Sequence, residues 1–156
     1  MPHSEVSTIN ADLDSLLKEA IVLAGAVKGL IQFYDEKTDT LSILSSYQLG
    51  EQFLTTFKAV KAFDPTACGR CFGLKIPIII DDVMLDSSFF PFRQIIELEE
   101  IRSAKSVPLY YFNERSIIGV LSTYFPKQLH MMHNALEIPA SHKAKIAHLL
   151  YGIRNE

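Results

Sequence analysis

The chain of 156 residues sets 15 lysines and arginines against 18 aspartates and glutamates, a net charge of −3, and its basic residues are scattered. A surface of that kind cannot neutralise a run of phosphates, which excludes nucleic acid as the natural partner. With 48% hydrophobic and 21% charged residues, the composition is that of one soluble domain, long enough to bury about two-thirds of its unfolded surface. Met1-Pro2-His3-Ser4-Glu5 lacks a charged lead into an apolar core, so no signal peptide is expected. No apolar run approaches the roughly 20 residues of a membrane span, and no membrane partner is expected. Two cysteines three apart cannot staple a fold, which points to the reducing cytoplasm.

Leu13, Leu17, Ala20, Ala24 and Val27 recur at spacings of three and four, which predicts a helix over 12–27 ended by Gly29. Leu30 to Tyr34 reads as a strand, 35–39 as a polar hairpin turn, and Leu41 to Tyr47 as the partner strand. Gly50 precedes a helix carrying Phe53, Leu54, Phe57 and Val60. Asp64 is placed to cap the next helix, with Pro65 in its first position and Cys68-Gly69-Arg70-Cys71 inside it. Ile76 to Ile80 reads as a buried strand stopping at Asp81-Asp82, and 89–101 as another helix. Two strands joined at Asn113-Glu114 finish with Gly119 to Phe125. A polar linker holding His130 and His133 then leads to a last helix over 139–153 with Ile146, Leu149, Leu150 and Ile153 on one side. Paired strands with helices between them imply an α+β fold, an antiparallel sheet between helical layers.

Four pieces of this pattern follow one another in order. They are Thr66-Ala67-Cys68-Gly69-Arg70-Cys71, Ile80-Asp81-Asp82 with Asp86-Ser87-Ser88-Phe89, Ser106-Val107-Pro108-Leu109, and Ile118 through Phe125. Together they resemble the second half of a GAF domain, nearest to the GAF sensor domains of bacterial multi-sensor histidine kinases. The resemblance implies a GAF/profilin-like α+β fold with a central five- or six-stranded antiparallel sheet in an α/β/α arrangement. It implies terminal helices on one face and a ligand pocket on the other. It covers 12–153 as a single domain, leaving 1–11 as an N-terminal extension. The implied function is cytoplasmic: a sensory module that binds a small molecule or senses redox state and signals through its terminal helices. No residue set here runs a reaction alone, so the chain is not expected to be an enzyme, and any kinase output would lie outside it. The alternative is a thiol-dependent enzyme of the free methionine sulfoxide reductase type using Cys68 and Cys71.

Cys68 and Cys71 supply two of the four thiolates a structural zinc needs, so the pair is either packing or redox. A helix start and Arg70 beside Cys68 would depress its pKa and favour the redox reading. His130, His133, His142 and His148 have no carboxylate or cysteine completing a set, and no metal site is expected. Asp81 and Asp82 point to opposite faces of a strand, so they cap a turn and do not act together. The resemblance leaves the cofactor open. It disfavours cyclic nucleotide, since the Asn-Lys and Asp-Glu pairs are missing. It disfavours covalent bilin, since 94–102 holds no cysteine, and it disfavours haem, since no histidine matches the ligand position. Strand parity puts Ser122 and Tyr124 on one face, which the resemblance turns toward the pocket beside Ser106. Phe89, Phe92 and Arg93 would form its lid, Arg93 clamping a carboxylate or phosphate of the unidentified ligand. The apolar faces of the first and last helices exceed what a sheet needs to cover, which suggests a weak homodimer through the terminal helices.

Overall fold

The first helix, α1, runs His3–Ala24, beginning well before Asp12. In this computed structural model residues 3–111 and 116–155 are described, with side chains from residue 8 onward; the expected turn at Asn113-Glu114 lies outside the described residues. α1 ends at Gly25, not at Gly29, because Gly25 takes a left-handed φ of +72°. A Cβ there would lie 2.0 Å from the carbonyl oxygen of Asn134, so only glycine lets that loop close over the helix end. Gly29 sits inside the first strand.

Six strands follow: β1 (Lys28–Asp35), β2 (Thr40–Tyr47), β3 (Ala59–Val60), β4 (Ile78–Ile80), β5 (Ser103–Tyr110) and β6 (Ile117–Phe125). Their order across the sheet is β3-β2-β1-β6-β5-β4, and every pairing is antiparallel. The β1–β2 turn is held by the Tyr34 hydroxyl, which donates to Asp39 Oδ1 at 2.8 Å, and by Lys37 N, which donates to Asp35 Oδ1 at 2.9 Å. β6 is buried along its whole length, flanked by β1 and β5. β4 is an edge strand with Ile79 64% exposed, so the expected buried strand is buried on one face only. Val60 belongs to β3 and not to the helix before it, which ends at Thr56.

The remaining helices are α2 (Glu51–Thr56), α3 (Ala67–Leu74), α4 (Arg93–Leu98) and α5 (Ala140–Arg154). Thr66, not Asp64, caps α3, its hydroxyl accepting from Gly69 N at 3.3 Å; Asp64 accepts from Lys61 N in the preceding turn. The single helix expected over 89–101 is a 3₁₀ turn, Ser87–Phe92, running into α4. Two cores result, one on each face of the sheet. Leu13, Leu17 and Ala20 of α1 with Ile146 and Leu150 of α5 cover Ile31, Leu109 and Leu121. On the opposite face α2, α3, the 3₁₀ turn and α4 cover Leu30, Leu41, Ile80, Val120 and Tyr124. The fold is therefore α+β with a six-stranded antiparallel sheet between helical layers. The apolar stripe of α1 is consumed by the chain's own sheet and α5, so the surplus expected for a second subunit shrinks to outer residues such as Val22 and Leu23.

Candidate functional site

The inner face of β6 carries the residues on which the site is built. Strand alternation turns Val120, Ser122 and Tyr124 toward α3, while Leu121 faces α1 and α5. Leu30 pairs with Ser122 and Ser106 with Ser122, so the centre of this face holds two serines side by side. Their hydroxyls lie 2.7 Å apart and both residues are fully buried, which satisfies each by the other. Above them stand Cys68 on α3, Phe89 on the 3₁₀ turn, Ile96 on α4, and Phe53 and Phe57 from α2 and its end. Between floor and roof is a cavity of about 10 Å³, bordered also by Leu30, Thr66 and Tyr124. That is room for one water molecule.

Of the residues expected at this site, Tyr124 and Phe89 border the cavity directly. Ser106 and Ser122 lie on its sheet side and bond each other. Phe92 is half-buried and packs its ring 5.1 Å from that of Phe57. Arg93 is outside: it is exposed and stacks its guanidinium 5.1 Å over the ring of Phe90, so it clamps nothing in the cavity. The reason is the 3₁₀ turn. At three residues per turn rather than 3.6, it rotates the start of α4 away from the facing a continuous helix would give. The arginine that does meet the roof is Arg70. It donates to Asp86 Oδ2 at 3.3 and 3.4 Å and lies 6.0 Å over the Phe89 ring. Asp86 in turn caps the 3₁₀ turn by accepting from Ser88 N at 3.0 Å. α3 is thereby latched to the lid.

The thiols are not activated. Cys68 and Cys71 are both buried and free, with the Thr66 hydroxyl 3.2 Å from the Cys68 sulfur. Burial pushes the Cys68 thiol up, outweighing the hydrogen bonds from Thr66 and the helix start that work the other way. Burial, with the nearby Cys68 adding to it, pushes Cys71 up to about 12. The expected depression at Cys68 is therefore corrected, because desolvation of a thiolate exceeds what a helix terminus returns and Arg70 is committed to Asp86. Tyr124 is likewise raised, by burial first and by Cys68 second.

One residue of the site was not singled out from the sequence. Gln32, on β1, is completely buried on the cavity face, and neither its amide oxygen nor its amide nitrogen has a hydrogen-bond partner among the described residues. Its side chain faces the Cys68 thiol and works to lower the pKa there, against the larger effect of burial. The available signal was a lone amide in the apolar run Leu30-Ile31-Gln32-Phe33-Tyr34, in step with Leu30.

The remaining polar candidates serve the frame. Asp82 accepts from Met84 N at 3.0 Å and takes Arg102 at 3.1 and 2.8 Å. Asp81 faces the other way and holds His130 through its backbone N at 2.8 Å and its ring at 2.7 Å. His142 is buried with its ring nitrogen 2.9 Å from the carbonyl oxygen of Leu16. Among the described residues no three His, Cys, Asp or Glu side chains gather as a metal site. No described helix is long and apolar enough to cross a membrane.

No family model matches the sequence, and no curated protein matches it. Solved structures do match in shape. A GAF domain from an Acinetobacter phosphoenolpyruvate-protein phosphotransferase superposes with a TM-score of 0.70 at 14% identity, covering 97% of this chain and 89% of the other. A domain assigned to a two-component sensor histidine kinase of Sinorhizobium meliloti gives 0.65 at 17% identity, with coverage of 93% and 90%. The type II free methionine-R-sulfoxide reductase of Thermoplasma acidophilum gives 0.70 at 12%, with 94% of each chain covered. Sensor modules and an enzyme share this architecture, and the chain has the GAF fold.

Proposed function

We propose that this chain is a GAF-type sensory domain that binds a small, largely uncharged molecule between α3, α4 and the sheet. The observation that carries the reading is Gln32: a fully buried amide without a partner, beside a cavity whose lining has no charged side chain. An unpaired buried amide costs free energy, and a ligand that supplies a donor and an acceptor recovers it. Thr66 and the Ser106–Ser122 pair stand close by to orient such a group. A cavity of about 10 Å³ admits no organic ligand as it stands, so binding requires the lid of residues 87–98 to lift about its Arg70–Asp86 latch. Leu30 and Tyr124 line the cavity on strands whose opposite faces carry α1 and α5, which supports signalling through the terminal helices. Association with a second copy through those helices would rest on the outer residues Val22 and Leu23. Reduced, buried thiols suit the cytoplasm.

The second reading, a free methionine sulfoxide reductase using Cys68 and Cys71, is favoured by the shared fold and by Cys68 lining the cavity. Two measurements decide. Native mass spectrometry of the purified protein is expected to show a bound small molecule, lost in Gln32→Leu. Turnover of free methionine sulfoxide with a dithiol, abolished in Cys68→Ser, would overturn sensing in favour of catalysis.

A further inference from the structure

The other face of the sheet holds a cavity of about 140 Å³. Its floor is made of neighbouring positions on β5 and β6: Lys105 pairs with Thr123, and Val107 with Leu121. Leu136 and Ile138 form the roof, with Lys143 entering from the start of α5 and Ala24 of α1 closing one end. The roof is pinned by Leu136 N, which donates to the Ala24 carbonyl oxygen at 3.0 Å.

Its polar groups ask for an anion. Lys105 and Lys143 are half-buried, and neither has an ion-pair partner among the described residues. Lys105 holds its ammonium 5.8 Å over the Phe125 ring, a weak substitute for a counter-charge. Thr123, only 2% exposed, brings a hydroxyl side chain to the cavity lining. The first turn of α5 adds the positive end of its dipole, since Pro139 offers no capping side chain. Against these stands one carboxylate, Glu137, exposed at the rim. The rest of the lining is aliphatic. For scale, an apolar cavity of about 150 Å³ in another protein accommodates benzene.

We infer that this cavity binds a small organic monoanion: a carboxylate on a compact apolar body of about six heavy atoms. The carboxylate meets Lys105, Lys143 and the Thr123 hydroxyl, while the body lies on Val107 and Leu121 beneath Leu136 and Ile138. The site touches α1 at Ala24 and α5 at Lys143, so its occupancy bears on both terminal helices without passing through the sheet. It stands on the opposite face from the Gln32 cavity and holds or fails independently of that reading.

The test is titration of the protein with sodium benzoate, followed by methyl NMR, with benzamide as the neutral molecule of the same shape. Saturable shifts are expected at Val107, Leu121, Leu136 and Ile138, with benzamide binding far more weakly. Lys105→Met should weaken benzoate about tenfold while preserving the far-UV circular dichroism spectrum; should that variant lose its fold, Lys143→Met carries the same comparison. Val107→Phe, which fills the cavity, should abolish the shifts. Absence of saturable shifts, equal binding of benzoate and benzamide, or shifts centred on Leu30 and Ile96 of the other cavity instead would each overturn the assignment.

Discussion

The two faces of this one sheet are covered in different ways and keep different amounts of space. On one, α1 and α5 are long, with 22 and 15 residues, and the buried residues of that core are aliphatic, from Leu13 and Leu17 to Ile146 and Leu150. On the other, elements of six to eight residues set rings against the strands: Phe53 and Phe57 in contact, Phe53 against Tyr124, Phe57 against Phe92. A straight helix cannot follow a twisted sheet to its far edge. The long pair therefore leaves about 140 Å³ open toward β4, while the short elements follow the strands down to about 10 Å³. Polar chemistry is distributed to match. The crowded face buries its hydroxyls, thiols and Gln32 without charge, and the roomier face brings ammonium groups to its opening.

That contrast can be broken at the thiols first. With Cys71 pushed up to about 12, its thiolate is about a thousandfold scarcer at pH 8 than in an exposed cysteine. Cys68 shifts in the same direction. Both are expected to react with an alkylating probe orders of magnitude more slowly than a model thiol, and to react fully after denaturation. Fast labelling of Cys68 in the folded protein would show an open lid and revive the catalytic reading.

The aliphatic face is the stability core. Leu17, fully buried against the sheet, is expected to cost about 2–5 kcal/mol as Leu17→Ala, read as a fall in the urea midpoint. On the crowded face Ser106→Ala leaves the Ser122 hydroxyl buried without its partner, at a cost of about 1–3 kcal/mol. The double variant Ser106→Ala/Ser122→Ala should recover part of that loss, because no orphan then remains. A double variant as unstable as the sum of the singles would refute the pairing argument.

The smallest effect is electrostatic and lies at the sheet's end. Hydrogen bonds from Arg102 hold the Asp82 carboxyl below the usual carboxylate range, with the Met84 amide adding to them and burial opposing. A carboxylate depressed in the folded state stabilises above its unfolded pKa of about 4 and loses that contribution as pH falls through the lower folded value. Asp82→Asn should therefore trail the wild type by a constant margin at neutral pH, and the two urea midpoints should converge below about pH 4. A margin that persists at low pH would assign the effect to packing.

Legibility in the sequence follows how local the cause is. The β1–β2 hairpin was readable because Asp35 and Asp39 close the turn within their own five residues. The common facing of Ser122 and Tyr124 was readable because alternation in a strand admits no other arrangement. The end of α1 was misplaced because Gly25 is chosen by Asn134, more than a hundred positions away. The cap of α3 was misplaced by two residues because Asp64 and Thr66 are both competent and only the fold of 61–64 commits the first elsewhere. Arg93 was misdirected because six residues of 3₁₀ turn carry no hydrophobic period that distinguishes them from α-helix. Gln32 was passed over because an amide inside an apolar strand reads as ordinary until its missing partners are seen.

The position of β6 between β1 and β5 has a consequence in time. β1 is among the first strands made and β6 the last, yet Lys28 lies opposite Tyr124 and Phe33 opposite Gly119 at the centre of the sheet. Until residue 125 has left the ribosome the chain can form only fragments, the β1–β2 hairpin among them, each with an unpaired side where the centre will be. The closing step joins ends separated by most of the chain, which loop entropy makes slow. The nascent protein thus exposes the edge of β1 until β6 has been made.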